Sequence, residues 1–475
     1  MTHKPLYAKK HHRYWLLILI IIVALSVLGK KFFVFDADSI IEKSELKNRS
    51  FANEVVEITA PKSGIKAYWM AEKSNPIVSM SFIFAGSGSI QDDKKGTANF
   101  TAAMMTEGND ELSSNDFKEK LEEYAISIAF SANKDDFVGS MVTLKENLPL
   151  AADLLHKALV APRMDENDFV RTKGQLLQSL DYMMEKPQYR LKKKVNQEVF
   201  GSHAYAYDVI GVTSDVKGIS VADMRSFMAN KLTKDRVYVG IAGDITQTEA
   251  EELIDNVFAD LPEKGNDKKL EVPNIDFSAR VVNVEDNELA QVLTTIIAPS
   301  VARLDRDFYP LYIANYVFGG AGLSSRVNKA AREKEGLTYG AYTSMSLLHK
   351  APLLVGGFST TPQNFEQMSK IFADEWQKMG NEGISNDELA AAKNYLINSY
   401  NLRFADIGTL SSILVSMQRE NLGIDFLQKR NLYVEQVTLE RVNQVAKQYF
   451  VSENLVMVNM GNIQQKGSKD EQSSK

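Results

Sequence analysis

The chain repeats its own plan at a spacing of about 220 residues, and this repetition limits the folds open to it more than any other feature. Phe169-x-x-x-Lys173-x-x-x-Leu177-x-Ser179 recurs as Leu389-x-x-x-Lys393-x-x-x-Ile397-x-Ser399, with every position displaced by 220. Both copies space their apolar residues along one helical face and follow an acidic start, Asp165-Glu166 and Asp387-Glu388. Residues 236–245 are echoed by residues 454–463. Each is an alternating, β-branched run that reaches a glycine, Gly243 or Gly461, as a strand does at its end. Two elements at matched spacing imply a duplicated unit. Within each copy strands and helices come in blocks, not in strict β-α-β alternation. That order predicts an α+β fold of two homologous domains, each an antiparallel-rich sheet with helices packed on one face.

The expected boundaries are an N-terminal anchor or signal peptide over 1–35, a stalk over 36–50 and a first domain over 51–260. A linker over 261–279, a second domain over 280–463 and a disordered tail over 464–475 follow. The linker rests on Pro262, Gly265, Pro273 and the charged run Asp267-Lys268-Lys269, which suit an exposed connection. The tail is almost free of apolar residues.

Composition removes several chemistries. The 44% apolar and 24% charged content is that of a globular protein, so wholesale disorder is excluded. Cysteine is absent, which eliminates disulfides, thiolate nucleophiles and cysteine-zinc sites together. Of six histidines, three (His3, His11, His12) precede the first apolar segment. The others, His156, His203 and His349, form no pair one helical turn apart, so no histidine-based catalytic zinc site is expected. A net charge of −6 without a basic stripe gives no case for nucleic acid.

The N-terminus carries a targeting signal. Lys4, Lys9, Lys10 and Arg13 precede residues 15–28, which are apolar except for Ser26. This asymmetry predicts a cytoplasmic N-terminus and an exported body. An uncleaved membrane anchor is favoured by the long basic flank and the lack of an Ala-x-Ala site. A signal peptide cleaved after Val27-Leu28-Gly29 is the competing reading.

Gly96-Thr97-Ala98-Asn99-Phe100-Thr101-Ala102-Ala103-Met104 follows an apolar run and a polar turn. It resembles the zinc-binding helix of the pitrilysin/insulinase family of peptidases, in which Gly-x-Ala precedes His-x-x-Glu-His. There two histidines hold zinc and the glutamate activates a water. The matching positions here are Asn99, Ala102 and Ala103. The family's third ligand is a glutamate on a later helix, and the resemblance places Ser179 there, 76 residues beyond Ala103. It therefore implies a degenerate zinc site and no cofactor in this chain. Glu107 lies close by and reads as a solvated side chain near a helix end.

The second half keeps what the first lacks. Gly319, Gly320, Gly322 and Ser324 lie in Phe318-Gly319-Gly320-Ala321-Gly322-Leu323-Ser324-Ser325-Arg326. Taken alone, such glycines often only close a turn. The run resembles the family's glycine loop, which in the substrate-recognition subunit of the mitochondrial processing peptidase helps bind the peptide. Arg332 and Tyr339 match the family's Arg–Tyr motif at the same seven-residue separation. Arg326 and Arg332 read equally as surface charges until Gly336-Leu337-x-Tyr339 is added, which favours a functional role for Arg332. Gly336 is expected to cap the helix carrying Arg332, and Tyr339 to begin an extended segment over 337–346. A guanidinium can grip a peptide carbonyl or carboxylate, and a phenol can donate to a developing oxyanion.

Neither group binds metal, so the pair can serve zinc on another chain. In heterodimeric bacterial members one subunit bears zinc and the other bears this pair. The resemblance thus implies a non-catalytic, substrate-positioning subunit of an exported zinc peptidase. Its expected partners are a zinc-bearing homologous subunit and an extended peptide, held in the clamshell the family forms. The body would lie in the periplasm of a bacterial inner membrane, attached through the N-terminal segment. The alternative is an inactive scaffold, as in relatives within the respiratory cytochrome complex. A self-sufficient hydrolase has no Gly-x-Ser-x-Gly elbow and no cysteine to support it. His203 reads as a structural hydrogen-bonding residue, the Met104-Met105 and Met183-Met184 pairs as core or groove filling, and Lys192-Lys193-Lys194 as a solvated face.

Overall fold

The computed structural model describes residues 54–266, 268–333 and 335–463. The expected anchor, stalk and tail lie outside the described residues. Alternation of apolar and small residues builds a first sheet from β1 (Val56–Thr59), β2 (Lys66–Ala71), β3 (Ile77–Phe84), β4 (Ser127–Ala132), β5 (Phe137–Leu144) and β6 (Val237–Gly243). Its spatial order is β1-β2-β6-β3-β5-β4. A second sheet takes β7 (Arg280–Glu285), β8 (Val292–Pro299), β9 (Ala341–Leu348), β10 (Ala351–Thr360) and β11 (Val456–Gly461) in the order β7-β11-β8-β10-β9. Neighbours are antiparallel except for β2 with β6 and β7 with β11.

The first half contains the helices α1 (Thr97–Met104), α2 (Leu148–Val160), α3 (Glu166–Glu185), α4 (Pro187–Phe200), α5 (Val221–Lys231) and α6 (Gln247–Phe258), with the further helices Ser114–Glu123 and Thr213–Gly218 between them. Those of the second are α7 (Phe308–Asn315), α8 (Phe365–Glu382), α9 (Asn386–Asn398), α10 (Ile407–Arg419), α11 (Phe426–Glu435) and α12 (Leu439–Tyr449). The repeat is written in these bounds. Glu166 and Asn386 open α3 and α9, and Pro187 and Ile407 open α4 and α10, each pair 220 residues apart. β6 and β11 end alike. Gly243 and Gly461 have φ of 139° and 150°, and a Cβ there would lie 2.2 Å from the Ile77 carbonyl oxygen and 2.9 Å from that of Gln291.

Each sheet buries one face under helices of its own half. On β3 the residues Val78, Met80, Phe82 and Phe84 face Ala98 and Ala102 of α1, Leu155 of α2, Phe227 of α5 and Phe258 of α6. In the second half Ile296, Leu354 and Met457 meet Leu311, Phe372, Trp376 and Val442. The opposite faces are covered by exchange. Helix α4 brings Leu191, Val195 and Val199 onto Ile297, Leu353 and Val458 of the second sheet, while α10 lies across β3 and β6 of the first. Burying each such aliphatic side chain contributes about 1.5–3 kcal/mol as an upper estimate.

Helix α10 is fastened by polar contacts as well. The Ser411 hydroxyl is 2.8 Å from those of Ser79 and Ser81. The Gln418 amide donates to the Lys66 carbonyl and accepts from the Val239 N–H, both at 2.9 Å, so it bridges β2 and β6. Arg419 pairs with Asp136 at 3.0 Å.

The connection over 261–279 differs from the simple exposed linker expected. Leu270, Ile275 and Phe277 pack partly buried against the α4 cluster, and the Lys231 ammonium donates to the Asn266 carbonyl. Apolar residues scattered among the charges are enough to strap it to the body. No helix among the described residues is long and apolar enough to cross a membrane.

Candidate functional site

Gly96 caps helix α1, and its φ of 103° turns the chain so that its N–H and that of Ala98 both donate to the Asp92 carboxylate at 3.0 Å. Phe100 then stacks on Phe169 with centroids 5.2 Å apart, which sets α1 against α3. The two helices carrying the positions singled out in the sequence are therefore neighbours. Ala102 is buried, Asn99 and Ala103 are half-buried, and Ser179 is exposed on α3. Together they offer an amide, two methyl groups and a hydroxyl.

Glu107, expected to be solvated, is not. It is 8% exposed and accepts from the Ser114 hydroxyl at 2.5 Å, the Lys118 ammonium at 2.7 Å and the Arg171 guanidinium at 2.6 Å. Burial pushes its carboxyl up, but these three donors outweigh burial and leave it below the ordinary value. A carboxylate so held is a poor proton acceptor, so the acid nearest the end of α1 supplies no free base. The turn after α1 brings Glu107 against Ser114 and Lys118 of the helix Ser114–Glu123, a contact no local pattern announces.

Asp92 behaves oppositely. Burial pushes its carboxyl up to about 7, against the pull of the Ala98 and Gly96 N–H groups and of Lys95 and Lys268. The folded protein then keeps a proton that the unfolded chain releases near 3.8, so this residue's contribution to stability falls as pH rises from about 4 to 7. Asp92→Asn cannot ionise and keeps one acceptor oxygen for the Gly96 and Ala98 N–H groups, so its melting temperature relative to the parent should rise between pH 5 and pH 8. A difference that stays flat or falls over this range would mean that the shift is absent.

In the second half the glycine run ends a π-helical turn, Tyr316–Gly320, and continues into a 3-10 turn, Gly322–Ser324. Gly319 is buried, and a Cβ on it would lie 2.5 Å from the Thr343 hydroxyl and 2.7 Å from its N–H, so β9 passes directly over it. Ser324 donates to the Ala321 carbonyl. Asn328, 1% exposed, joins this turn to β9: its amide donates to the carbonyls of Gly322 (2.8 Å) and Ala341 (2.5 Å) and accepts from the Ala341 N–H at 2.8 Å. Nothing in the sequence distinguished Asn328 from any other polar residue.

Arg326 is no surface charge. It forms a two-pronged pair with Glu388 at 2.6 and 2.5 Å. Burial would raise the Glu388 carboxyl, but Arg326 and the capping Ser385 overcome it and hold it at about 2. Arg332 and Tyr339 have no such ties. Arg332 is exposed on the turn Lys329–Glu333, which Gly336 closes with φ 65° and an N–H donated to the Arg332 carbonyl at 3.0 Å. Tyr339 is 84% exposed, and neither side chain makes a hydrogen bond or ion pair with a described residue. The extended segment begins later than expected, at Ala341, because Thr338 bonds the carbonyls of Gly340 and Ser359 and holds the chain in a loop until then. Strand β9, which begins two residues after Tyr339, is an edge of its sheet.

His203 accepts from the Tyr205 N–H at 3.1 Å, a structural bond as expected. Met104 and Met105 are fully buried, whereas Met184 is exposed and lines a groove with Leu180 and Tyr189. Lys192 and Lys194 lie on a mostly exposed face but pair with Asp208 and Glu198 at 2.6 Å.

Two family models match the chain: Insulinase (Peptidase family M16) over residues 70–212, and Peptidase M16 inactive domain over residues 218–396. The chain belongs to the M16 peptidase family. This M16 homologue is 25% identical over 384 residues to the non-peptidase homolog YmxG of Helicobacter pylori, covering 79% of this chain and 87% of that one. It is 22% identical over 416 residues to the mitochondrial-processing peptidase subunit beta of Blastocladiella emersonii, covering 83% and 87%. The crystal structure of a peptidase M16 inactive domain from Pseudomonas fluorescens shares the fold, with a TM-score of 0.80 at 23% identity over 86% of this chain and 97% of that one.

The family implies zinc, and the residues of this M16 homologue do not fit it. Asn99, Ala102, Ala103 and Ser179 supply no imidazole and no carboxylate. Among the described residues no three His, Cys, Asp or Glu side chains are grouped to hold a metal ion. His156 is engaged elsewhere, with the Val257 carbonyl at 3.1 Å and Asp260 at 3.2 Å.

Proposed function

We propose that this chain is a non-catalytic subunit of a two-chain M16 peptidase, and that it positions an extended peptide for a zinc site carried by a homologous partner. One observation carries the reading: the positions on α1 and α3 that the family gives to zinc hold Asn99, Ala102, Ala103 and Ser179, while Arg332 and Tyr339 are exposed, bond no described residue and precede the edge strand β9. Polar side chains that serve the fold are tied down here, as Arg326, Glu107 and Asn328 are. In the complex the Arg332 guanidinium binds a peptide carbonyl or terminal carboxylate, and the Tyr339 phenol donates to the oxyanion that forms on the partner's zinc. A scaffold would leave both without a task.

The experiment is reconstitution. Alone, the purified chain should hold well under one zinc per molecule by elemental analysis and cleave no peptide. Mixed with a homologous chain that retains His-x-x-Glu-His, it should raise peptide cleavage above that of the partner by itself. One tightly held zinc per chain, or a complex no more active than the partner, would reject the proposal.

A further inference from the structure

A cavity of about 920 Å³ opens among α7, α9, α10 and α11. Its place is telling. By the internal repeat α9 is the counterpart of α3, and Ser399, which lines the cavity, is the repeat-mate of Ser179. The second half thus keeps an open site where the first half has its degenerate metal cleft.

The lining is aromatic and cationic. Tyr316 and Tyr395 stack across one side with centroids 5.2 Å apart, and Tyr400 faces the cavity from another. Arg303, Arg403 and Arg430 line it against one acid, Glu420. Arg430 is 6% exposed. Its Nη1 donates to the Leu396 carbonyl at 2.6 Å and the Asn431 side chain at 3.0 Å, and the Tyr400 ring lies 4.3 Å from its guanidinium carbon. Its Nη2 and Nε donate to no described residue. Arg303 sits 4.1 Å over the Phe308 ring and donates to the Tyr309 hydroxyl at 3.1 Å. None of the three arginines is paired with a carboxylate among the described residues.

A guanidinium buried without a counter-charge is costly, and the described residues supply none to Arg430. The contrast with Arg326 is direct. Glu388 raises the Arg326 guanidinium, whereas burial lowers that of Arg430. An incoming anion would relieve this burial, and tyrosine faces favour a flat or apolar body behind the anion.

We propose that this cavity binds a carboxylate attached to an aromatic or apolar body, with the carboxylate on Arg430 and Arg303 and the body among Tyr316, Tyr395 and Tyr400. Two sources share that chemistry: a free aromatic acid, and the C-terminus of a peptide ending in a large apolar residue. The inference stands apart from the proposed trans-acting pair, since it concerns the isolated chain.

Calorimetric titration of the purified full-length chain tests it. The probes are N-acetylphenylalanine, its amide, and a hexapeptide ending in phenylalanine with a free or an amidated terminus. Each acid should bind at least about tenfold more tightly than its amide, the loss expected when a charge-assisted contact is removed. Arg303→Gln should weaken the acids and leave the amides unchanged. Arg430→Met should abolish the preference, provided its circular dichroism and melting match the parent; Arg303→Gln decides the matter if Arg430→Met does not fold. Tight binding of the peptide acid alone supports the site and assigns it to peptide termini, and equal binding of both acids supports it and assigns it to small acids. Equal affinity for acid and amide, or no binding of any probe, overturns the proposal and leaves the arginine–tyrosine cluster as packing.

Discussion

Tyr339→Phe, placed in a complex with a zinc-bearing partner, is expected to lower kcat by about 10²–10³-fold while KM changes little. The phenol is 84% exposed and bonds no described residue, so losing its hydroxyl removes nothing from the fold. If it donates only to the oxyanion, the ground-state peptide does not feel the change. Arg332→Ala should raise KM as well, because the guanidinium holds the peptide before chemistry begins. Neither substitution should alter melting temperature or heterodimer assembly. Steady-state kinetics on the assembled complex, with light scattering to confirm stoichiometry, decides. Full activity with both changes present would return the chain to the scaffold class.

Gly240→Val should destabilise the whole chain by about 3 kcal/mol, near the upper end for overpacking. A Cβ on Gly240 would lie 2.3 Å from the Ser411 carbonyl oxygen and 2.5 Å from the Val415 N–H nitrogen. Both are backbone atoms of α10, so relief requires moving the helix off the first sheet. That movement would also break the Ser411 and Gln418 contacts with β2, β3 and β6. Because α10 belongs to the second half and α4 makes the reciprocal crossing, unfolding should remain a single transition. Gly174→Ala is the control: its Cβ meets nothing on an exposed turn of α3, and it should be neutral or stabilise by up to about 1 kcal/mol. Differential scanning calorimetry on both variants reads the result. Two separated transitions, or an unchanged Gly240→Val, would show that the exchanged helix does not couple the halves.

Much of the architecture was legible because the relevant patterns are local. Period-two alternation in β6 and β11, helical spacing in α3 and α9, and the 220-residue displacement between copies are properties of consecutive residues. That Asn99, Ala102, Ala103 and Ser179 carry no imidazole and no carboxylate was equally plain, since residue identity needs no structure. The turn that closes on Gly336 also followed from residue type, because only glycine adopts that φ at little cost.

Charge pairing escaped, for it depends on what the chain brings together. Glu107 and Arg326 were indistinguishable in sequence from solvated residues. Arg171 reaches Glu107 across 64 positions and Glu388 reaches Arg326 across 62. Asn328 acquires its role only where the turn around Gly322 meets β9. The exchange of α4 and α10 lay deeper, since both helices have ordinary amphipathic patterns that any apolar sheet face would satisfy. Which face each helix covers was decided by contacts such as Ser79 with Ser411, 332 residues apart, and by the space Gly240 leaves for them. Sequence by itself determined the duplicated α+β plan and which side chains stand at the candidate site, because both reside in residue identity and short-range spacing. Tertiary structure alone decided which charges are neutralised, which remain available, and how the halves interlock, because each depends on distances between residues far apart in the chain.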